Sequence, residues 1–394
     1  MFFADMPYVS DFFKKTIRDY AIPVVGTKAA LELGLHAGTN IITETQAVEM
    51  VQDDGSLKVY STSENSIAWI SKNLAFSELP EKINLFKNKS RFRALTKSMN
   101  PDFFYQEIGI EDLSKLEFDQ LPLPFVIKPT VGFFSMGVHV VSCLQDWNLT
   151  INTIFSEIDQ IKTAYPDDVV GTESFIIEQF IEGDEFAVDA YFNAQGEPVV
   201  LGIMKHLFSS EDDVGDRVYI TSAEIIQENL EEFTEFTGKI GALSGIKNFP
   251  VHIELRRTDQ GVLLPIEVNP MRFGGWCTTA DVTFLAYGIN PYLLYFQQGV
   301  PLWEEVLRGK EGKIFSIIVL NNSTGLQADE IASFDYRKLL SGFEDPLELR
   351  ELDINRYPVF GFLFTETRKE NFAELQRILE SDLHEFISRK QSTP

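Results

Sequence analysis

The sequence has 394 residues, of which 44% are hydrophobic and 24% are charged, and its formal net charge is −25. This length predicts roughly two or three domains, and the composition is typical of a globular protein. A chain this acidic repels nucleic acids and anionic membranes, so we expect neither as a partner. A polyanionic small molecule would need a locally positive pocket, which makes lysines and arginines inside motifs informative.

Cysteine usage and hydropathy give expectations about the compartment. Cys143 and Cys277 form neither a CxxC motif nor a disulfide framework, and we expect a reducing, cytoplasmic environment. Residues 1–15 have no long apolar core, so they do not resemble a signal peptide. No run of about 18 apolar residues occurs, and no membrane span is expected.

Residues 1–85 alternate short strand and helix patterns, beginning with the strand FFAD and the helix PYVSDFFKKTIRDY. Such alternation implies a mostly parallel sheet, and we assign this stretch to an N-terminal α/β domain. It lacks GxGxxG, which argues against dinucleotide binding. A basic helix start follows, whose cations form either a solvated face or an anion site. These cations are Lys87, Lys89, Arg91, Arg93 and Lys97.

The stretch PLPFVIKPTVGFFSMGVHVV begins at residue 122 and has a strand ending at Lys128 and Pro129. A loop flanked by Gly132 and Gly137 follows, and then a second strand. A lysine beside a glycine-bearing loop can place an ammonium and backbone N–H groups on phosphate oxygens. A plain β-hairpin with a surface lysine is the alternative.

Two glutamates then lie at strand ends. Glu178 ends a strand at 175–180 and Glu185 begins the next, so both carboxylates can point into one cleft. Residues 186–192 and 198–205 are predicted antiparallel strands around an NAQG turn. The acidic loop SSEDDVGDRVYIT is long enough to be mobile. The sequence SAEIIQENLEEFTEFTGKIGALSGI then predicts a long amphipathic helix that packs on the sheet.

The most informative stretch is VHIELRRTDQGVLLPIEVNPMRFGG, residues 251–275. Alternation predicts a strand, TDQG a turn and VLLPIEV a second strand, which places Glu254 within about one residue of facing Glu267. Because like charges across a hairpin repel, we expect a cation between them. With Asn269 they offer oxygen ligands, which suit Mg²⁺ or Mn²⁺. An ordinary solvated hairpin is the alternative. Arg272 and a Gly-Gly pair follow at once.

From about residue 310 the α/β pattern restarts. It comprises the strand IFSIIVL, the short helix FDYRKLLSGF, the strand YPVFGFLF and the final helix RKENFAELQRILESDLHEFI. We therefore divide the chain into an N-terminal domain at 1–85, a central domain at 86–309 and a small α/β appendix at 310–394. The predicted fold class is α/β, or α+β.

The separate signals occur in one order: a basic helix start, a KP pair with a glycine loop, EQFIEGDE, and a hairpin ending in ExNPxRxGG. In this order the sequence resembles the ATP-grasp superfamily, which includes D-alanine–D-alanine ligases, biotin carboxylase and the carbamoyl-phosphate synthetase large subunit. The resemblance spans roughly residues 85 to 300, and ExNP is its most specific motif. It implies an ATP-grasp fold with a lid subdomain at about 103–180.

The resemblance implies roles for the cations and the glycine loop. Lys89 and Lys128 match lysines that contact the nucleotide phosphates, and Arg272 matches the arginine at the transferred phosphoryl group. Lys128 and Arg272 are therefore the implied catalytic residues. The segment from Gly132 to Gly137, with Ser135 inside it, matches the loop that closes over the phosphates.

It also implies ligands for the rest of the nucleotide and for the metal. The hinge that reads adenine matches Glu178, Gln179, Phe180 and Ile181. The carboxylate that holds the ribose hydroxyls matches Glu185. The metal ligands match Glu254, Glu267 and Asn269.

Substrate selection is assigned to side chains beside these motifs. A positive charge at Lys205 or Arg217 could hold a carboxylate, and surface solvation is the alternative. His252 shares a strand face with Glu254 and is either structural or a base. The two glycines after Arg272 complete the candidates, and they are Gly274 and Gly275.

The implied activity is that of an ATP- and Mg²⁺-dependent ligase. ATP phosphorylates a substrate carboxylate to an acylphosphate, and an amine attacks it, with release of ADP and phosphate. Two alternatives stay open: a bicarbonate-using carboxylase or carbamoyl-phosphate-type enzyme, and an ATP-binding regulatory module without catalysis. We expect a homodimer, because symmetric dimers are the commonest oligomers.

Overall fold

The structure of the protein is a computed structural model that describes residues 1–131, 137–164, 174–210 and 215–390. Helices and strands are mixed throughout these described residues, which confirms the predicted fold class. Among the described residues, no helix combines the length and the apolar character needed to cross a membrane.

The chain begins with a small sheet whose strands alternate with helices. The elements are β1 (Phe2–Phe3), α1 (Asp11–Asp19), β2 (Val24–Val25), α2 (Lys28–Glu32), β3 (Ile41–Ile42), α3 (Glu44–Asp53), β4 (Tyr60–Ser61) and α4 (Ser66–Asn73). Ser10, Thr27 and Thr43 begin three of the helices, because each side chain accepts a backbone N–H three residues further on. The strand order is β3-β2-β1-β4 and every pairing is parallel, as predicted.

Two helices lead from this sheet to a second one. They are α5 (Leu79–Lys87) and α6 (Lys89–Thr96). Asn88 separates them and caps α6, since its side chain accepts the backbone N–H of Arg91 at 2.9 Å. The second sheet is antiparallel, in the order β5-β8-β6-β7. Its elements are β5 (Tyr105–Gly109), β6 (Phe125–Pro129), β7 (His139–Val141), α7 (Leu144–Ala164) and β8 (Ser174–Gln179).

The middle of the chain supplies most of the largest sheet. Its elements are β9 (Asp184–Phe192), β10 (Pro198–Leu207), β11 (Val218–Ser222), α8 (Ala223–Ser244), β12 (Phe249–Arg257), β13 (Leu263–Pro270), α9 (Thr278–Tyr287), α10 (Pro291–Gln297) and α11 (Trp303–Val306). The predicted hairpin of β9 and β10 and the long helix α8 are both confirmed. Gly245 ends α8 in the left-handed conformation, at φ 63°.

The last part of the chain adds three strands to the same sheet. Its elements are β14 (Lys313–Asn321), β15 (Ile331–Phe334), α12 (Tyr336–Leu340), β16 (Asp345–Glu351), β17 (Val359–Arg368), α13 (Ala373–Glu380) and β18 (Ile387–Arg389). The eight-stranded order is β13-β12-β9-β10-β11-β14-β17-β16, while β15 and β18 pair separately. Strands from both sides of residue 309 therefore share one sheet, and the proposed domain division stays a prediction.

Two local predictions are wrong. The end of the predicted acidic loop is strand β11, which pairs with β10 and β14, because its valine and isoleucine point into the core; residues 211–214 of that loop lie outside the described residues. The final helix was expected over the whole of 368–387, but α13 covers only Ala373–Glu380. Ser381 is extended after it, and Leu383 has φ 65°.

The main core lies between the large sheet and α8. Phe192 and Ile253 of the sheet and Phe233 of the helix all belong to this core, and all three are fully buried. The side chains on the opposite side of β12 and β13 are thereby left for other contacts.

Candidate active site

The hairpin of β12 and β13 places two glutamates face to face. Glu254 is the register partner of Glu267, and His252 is the partner of Asn269. A bulge follows Glu254, between it and Leu255. The direct pairing falls within the one-residue margin that the TDQG turn allowed.

This pairing has an electrostatic consequence. Burial raises the pKa of Glu254 well above its ordinary value, and the opposing charge of Glu267 raises it further. Burial acts in the same direction on Glu267, but Lys89 and Lys128 outweigh it and lower the Glu267 pKa to about 2. The two carboxylates therefore repel at close range, and Lys89 and Lys128 favour the charge on Glu267.

The donor set around these carboxylates fits a divalent cation that prefers oxygen. The Asn269 amide nitrogen donates to an oxygen of Glu254 at 3.3 Å and to an oxygen of Glu267 at 3.0 Å, so the three side chains converge. Two carboxylates and one amide suit Mg²⁺ or Mn²⁺. Across the described part of the chain, no group of three or more His, Cys, Asp and Glu side chains could hold a metal. Asn269 would then supply its amide oxygen as a further ligand, with the amide turned over from the orientation in which its nitrogen donates to the glutamates.

Lys89 is the first residue of α6 and points at this pair. Its Nζ lies 3.6 Å from Oε2 of Glu267, and its side chain is 13% exposed. Lys89 also donates its backbone N–H to the carbonyl of Thr130, just beyond β6. The helix start and the β6 segment are thereby joined beside the hairpin.

Lys128 of β6 is held by a buried ion pair. Its Nζ lies 2.7 Å from Oε2 of Glu178, and Nε of Arg93 lies 2.6 Å from Oε1 of the same carboxylate. Arg93 also donates to the backbone carbonyls of Pro265 and Ile266 on β13. The sequence analysis left Arg93 in the general basic cluster. Its spacing of four residues from Lys89, on the same face of a helix, could have marked it for this role.

The glycine loop is only partly described. Gly137 has φ 71°, a conformation that favours glycine. Gly132 and Ser135, to which phosphate contacts were assigned, lie outside the described residues.

The proposed hinge and ribose carboxylate form a second cluster. Glu185 pairs with His206 at 3.0 Å and with Arg256 at 2.9 Å. Arg256 also donates to the backbone carbonyl of Ile181 and lies over the ring of Phe180. Burial raises the pKa of Glu185, but His206 and Arg256 outweigh it, so the pKa is lowered. The sequence predicted that Glu178 and Glu185 point into one cleft. In the structure the two carboxylates pair with different side chains, since Glu178 pairs with Arg93 and Lys128 and Glu185 pairs with His206 and Arg256.

The hinge backbone is anchored to the second sheet at two points. The Gln179 N–H donates to the carbonyl of Phe104, and the Phe180 N–H donates to the carbonyl of Pro124. Gln179 has an exposed side chain, whereas Ile181 is buried. Residues 180–183 therefore form a short connection between two sheets.

Arg272 follows β13 and is held from two sides. Its Nε and Nη2 both donate to Oε1 of Glu64, at 3.2 and 3.1 Å, and its Nη1 donates to the carbonyl of Phe273 at 2.9 Å. The Arg272 side chain is 15% exposed. Glu64 lies between β4 and α4, and no sequence motif indicated it.

Asp189 of β9 connects His252 to the glycine pair. Its carboxylate accepts from Nδ1 of His252 at 2.7 Å, from the Gly274 N–H at 3.0 Å and from the Thr279 hydroxyl. Nε2 of His252 lies 3.6 Å from Oε1 of Glu254. A Cβ at Gly274 would collide with Thr279, whereas Gly275 faces open space. His252 and Gly274 are thus fixed by one buried carboxylate that the sequence analysis missed.

The remaining substrate candidates lie elsewhere. Lys205 pairs with Asp184 at 2.8 Å. This pair lies at the end of the β9–β10 ladder that is farther from the turn joining these two strands. Arg217 is buried and donates to the hydroxyl of Ser323 in the last part of the chain. The described contacts do not join either residue to Glu254 or Glu267.

Part of the sequence matches a known protein family. Residues 121–280 match the family model described as the ATP-grasp domain. The chain therefore contains an ATP-grasp domain, as the order of its motifs predicted, and its overall architecture is the ATP-grasp fold. No protein of curated function matches the sequence.

Solved structures agree with this fold. An L-amino acid ligase from Bacillus licheniformis has a TM-score of 0.69 at 18% identity, and the match covers 100% of this chain and 98% of that chain. An N5-carboxyaminoimidazole ribonucleotide synthetase from Thermotoga maritima has a TM-score of 0.62 at 16% identity, covering 98% and 99%. A biotin carboxylase from Campylobacter jejuni has a TM-score of 0.60 at 13% identity, covering 99% and 92%. At these identities the similarity defines the fold.

Proposed function

We propose that the protein is an ATP- and Mg²⁺-dependent ligase that joins a carboxylic acid to an amine through an acylphosphate. The observation that carries this proposal is the direct pairing of Glu254 with Glu267, with Asn269 beside them and Lys89 facing them. The ATP-grasp domain match and the L-amino acid ligase of the same fold support it.

The protein's own side chains would bind and orient the nucleotide. Lys89 and Lys128 would pair with its phosphate oxygens. Glu254, Glu267 and Asn269 would hold Mg²⁺, which supplies charge neutralisation for the phosphates when bound. Glu185 would accept from the ribose hydroxyls, and the backbone of residues 179–181 would contact the base.

Arg272 would act on the phosphoryl group in transfer. A guanidinium has five N–H donors, and three of them bond to Glu64 and Phe273. The other two have no hydrogen-bond partner within the described ranges. These two donors would stabilise the negative oxygens of the phosphoryl group as it moves to the substrate carboxylate. An amine then attacks the acyl carbon, and phosphate leaves with the electrons of the C–O bond.

The first experiment measures ADP release from purified protein with ATP, Mg²⁺ and pools of carboxylic acids and amines. We expect release to require both an acid and an amine. Glu267→Gln should lower it by about a hundredfold or more, because the charge that balances the metal and Lys89 is lost. Asp259→Asn is the matched control, since Asp259 lies exposed in the turn of the same hairpin. Circular dichroism checks that both variants fold.

Other outcomes would favour the alternatives. ADP release that depends on bicarbonate alone would indicate a carboxylase or a carbamoyl-phosphate-type enzyme. Nucleotide binding without turnover across all pools would indicate a regulatory module. Unchanged turnover in Glu267→Gln would contradict the metal assignment.

A further inference from the structure

The N-terminal sheet reaches the candidate active site through one short turn. This turn, residues 61–66, connects β4 to α4 and contains Glu64. One hydrogen bond within the turn and one to β1 hold it. The Ser66 hydroxyl donates to the Ser61 hydroxyl at 2.7 Å, and the Thr62 N–H donates to the carbonyl of Phe3 at 3.1 Å. Glu64 is therefore presented from a fixed backbone.

Two contacts join this turn to the segment after β13. The Ser61 N–H donates to the carbonyl of Met271 at 2.7 Å. Arg272 is the next residue after Met271, and two of its nitrogens donate to Glu64. Met271 has φ 68°, a conformation that costs energy for a residue with a side chain. The backbone at Met271 and the side chain of Arg272 are thus both hydrogen-bonded to the turn at residues 61–66.

The Glu64 carboxylate accepts hydrogen bonds from two cationic side chains. Its second oxygen accepts from Lys87 at the end of α5, and its side chain is 20% exposed. Burial raises the pKa of Glu64, but Arg272 and Lys87 outweigh it, so the pKa is lowered and the carboxylate stays ionised. Glu64 contacts only the edge of the Arg272 guanidinium that carries Nε and Nη2. The two N–H donors without a described partner remain for an oxyanion.

We propose that Glu64 is a positioning residue that aims Arg272 at the transferred phosphoryl group. The proposal rests on the proposed function, and it adds a residue outside the matched domain at 121–280. A guanidinium tethered along one edge loses little freedom when its other edge meets the phosphoryl oxygens. The N-terminal sheet is then part of the active site through Glu64.

The test measures the affinity for ADP alone and for ADP with aluminium fluoride, a mimic of the phosphoryl group in transfer, both with Mg²⁺. We expect aluminium fluoride to tighten binding to the wild-type protein by about a hundredfold or more. Glu64→Gln should lose most of this gain and change the affinity for ADP alone by less than about twofold, because only the transfer state uses Arg272. Glu81→Gln is the matched control, since Glu81 is an exposed carboxylate that pairs with a different arginine, Arg91.

A double-variant cycle separates positioning from a general loss of structure. Arg272→Lys should lose a similar part of the gain, and the double variant should lose no more than either single variant, because both act through one guanidinium. Additive losses, or a gain fully kept in Glu64→Gln, would overturn the proposal. A wild-type protein that gains nothing from aluminium fluoride would instead contradict the proposed function.

Discussion

Glu178 is a single buried carboxylate that holds two cations. Burial raises its pKa, but Arg93 and Lys128 outweigh burial and lower it to about 2. Burial lowers the pKa of Lys128, and the nearby Arg93 and Lys89 charges add to this, so the pKa falls although Glu178 opposes the change. One carboxylate therefore keeps a cluster of like charges together at the junction of β6, β8 and α6.

This cluster predicts a pH dependence of stability. Because the pKa of folded Glu178 is depressed, its contribution is complete above its unfolded pKa of 4.5 and is lost as the pH falls towards 2. We expect Glu178→Gln to reduce the free energy of unfolding by about 3–5 kcal/mol at neutral pH, since two buried cations lose their partner. The difference from wild type should shrink between pH 4.5 and pH 2. Urea unfolding at several pH values measures it.

The control for this prediction is Glu235→Gln on α8. Glu235 pairs with Lys239 on the exposed face of the helix, so its replacement should change stability little at any of these pH values. A difference for Glu178→Gln that stays constant down to pH 2 would contradict the ion-pair account.

For single residues, the sequence predicted the local placement of side chains better than their long-range contacts. Glu254 and Glu267 were placed opposite each other because strand alternation and turn length are local properties. Arg93, Asp189 and Glu64 were missed because each meets its partner across a long separation in sequence. Apart from the four-residue spacing between Lys89 and Arg93 on one helix face, no local pattern pointed to these residues.

At the scale of elements, α8 shows how closely a helix lies against the large sheet. A Cβ added at Gly241 would lie 2.3 Å from a ring carbon of Phe192 on β9, whereas one at Gly238 would lie 3.4 Å from Pro198. Phe192 is fully buried and cannot swing into solvent. One glycine of the helix is therefore required by packing, and the other is not.

We expect opposite effects when these two glycines are replaced. Gly238→Ala should stabilise the protein by about 0.5–1 kcal/mol, because alanine favours the helix. Gly241→Ala should destabilise it by about 1–3 kcal/mol, because overpacking at Phe192 exceeds that gain. Urea unfolding of both variants provides the comparison. Equal effects of the same sign would mean that α8 does not lie as close to β9 as described.

Two elements with a strong sequence pattern were predicted well, and two strands with a weak pattern were missed. The helix α8 repeats its apolar residues over 22 positions, and the β12–β13 hairpin has a clear turn. By contrast β11 follows an acidic stretch, and β16 carries four charged residues among its seven, DPLELRE. Both belong to the large sheet because their neighbours β10, β14 and β17 offer edges, which the sequence alone does not reveal.

At the scale of the whole molecule, one sheet connects the candidate active site to the last part of the chain. Arg350 of β16 pairs with Asp281 of α9 at 2.6 Å, and both are buried. It also donates to the carbonyl of Trp276, just after the glycine pair. The segment from 310 onwards, which the sequence suggested as an appendix, thus contacts the loop that follows Arg272.

The positive charges of the molecule that lie near the β12–β13 hairpin form a cluster. The chain carries a formal charge of −25, yet Arg93, Lys128 and Arg272 are gathered with Lys89 in buried or nearly buried positions around the hairpin. Each of these cations is already paired with a glutamate. An anionic ligand would therefore meet a site whose positive charges are held in place before it binds.

The most direct test of the acylphosphate account follows oxygen-18 from a labelled substrate carboxylate. Transfer of the γ-phosphoryl group to that carboxylate, followed by attack of the amine, must leave one carboxylate oxygen in the released phosphate. We predict that mass spectrometry finds one oxygen-18 atom in each phosphate released in the presence of both substrates. Unlabelled phosphate, or label recovered in AMP, would contradict phosphorylation of the carboxylate by this protein.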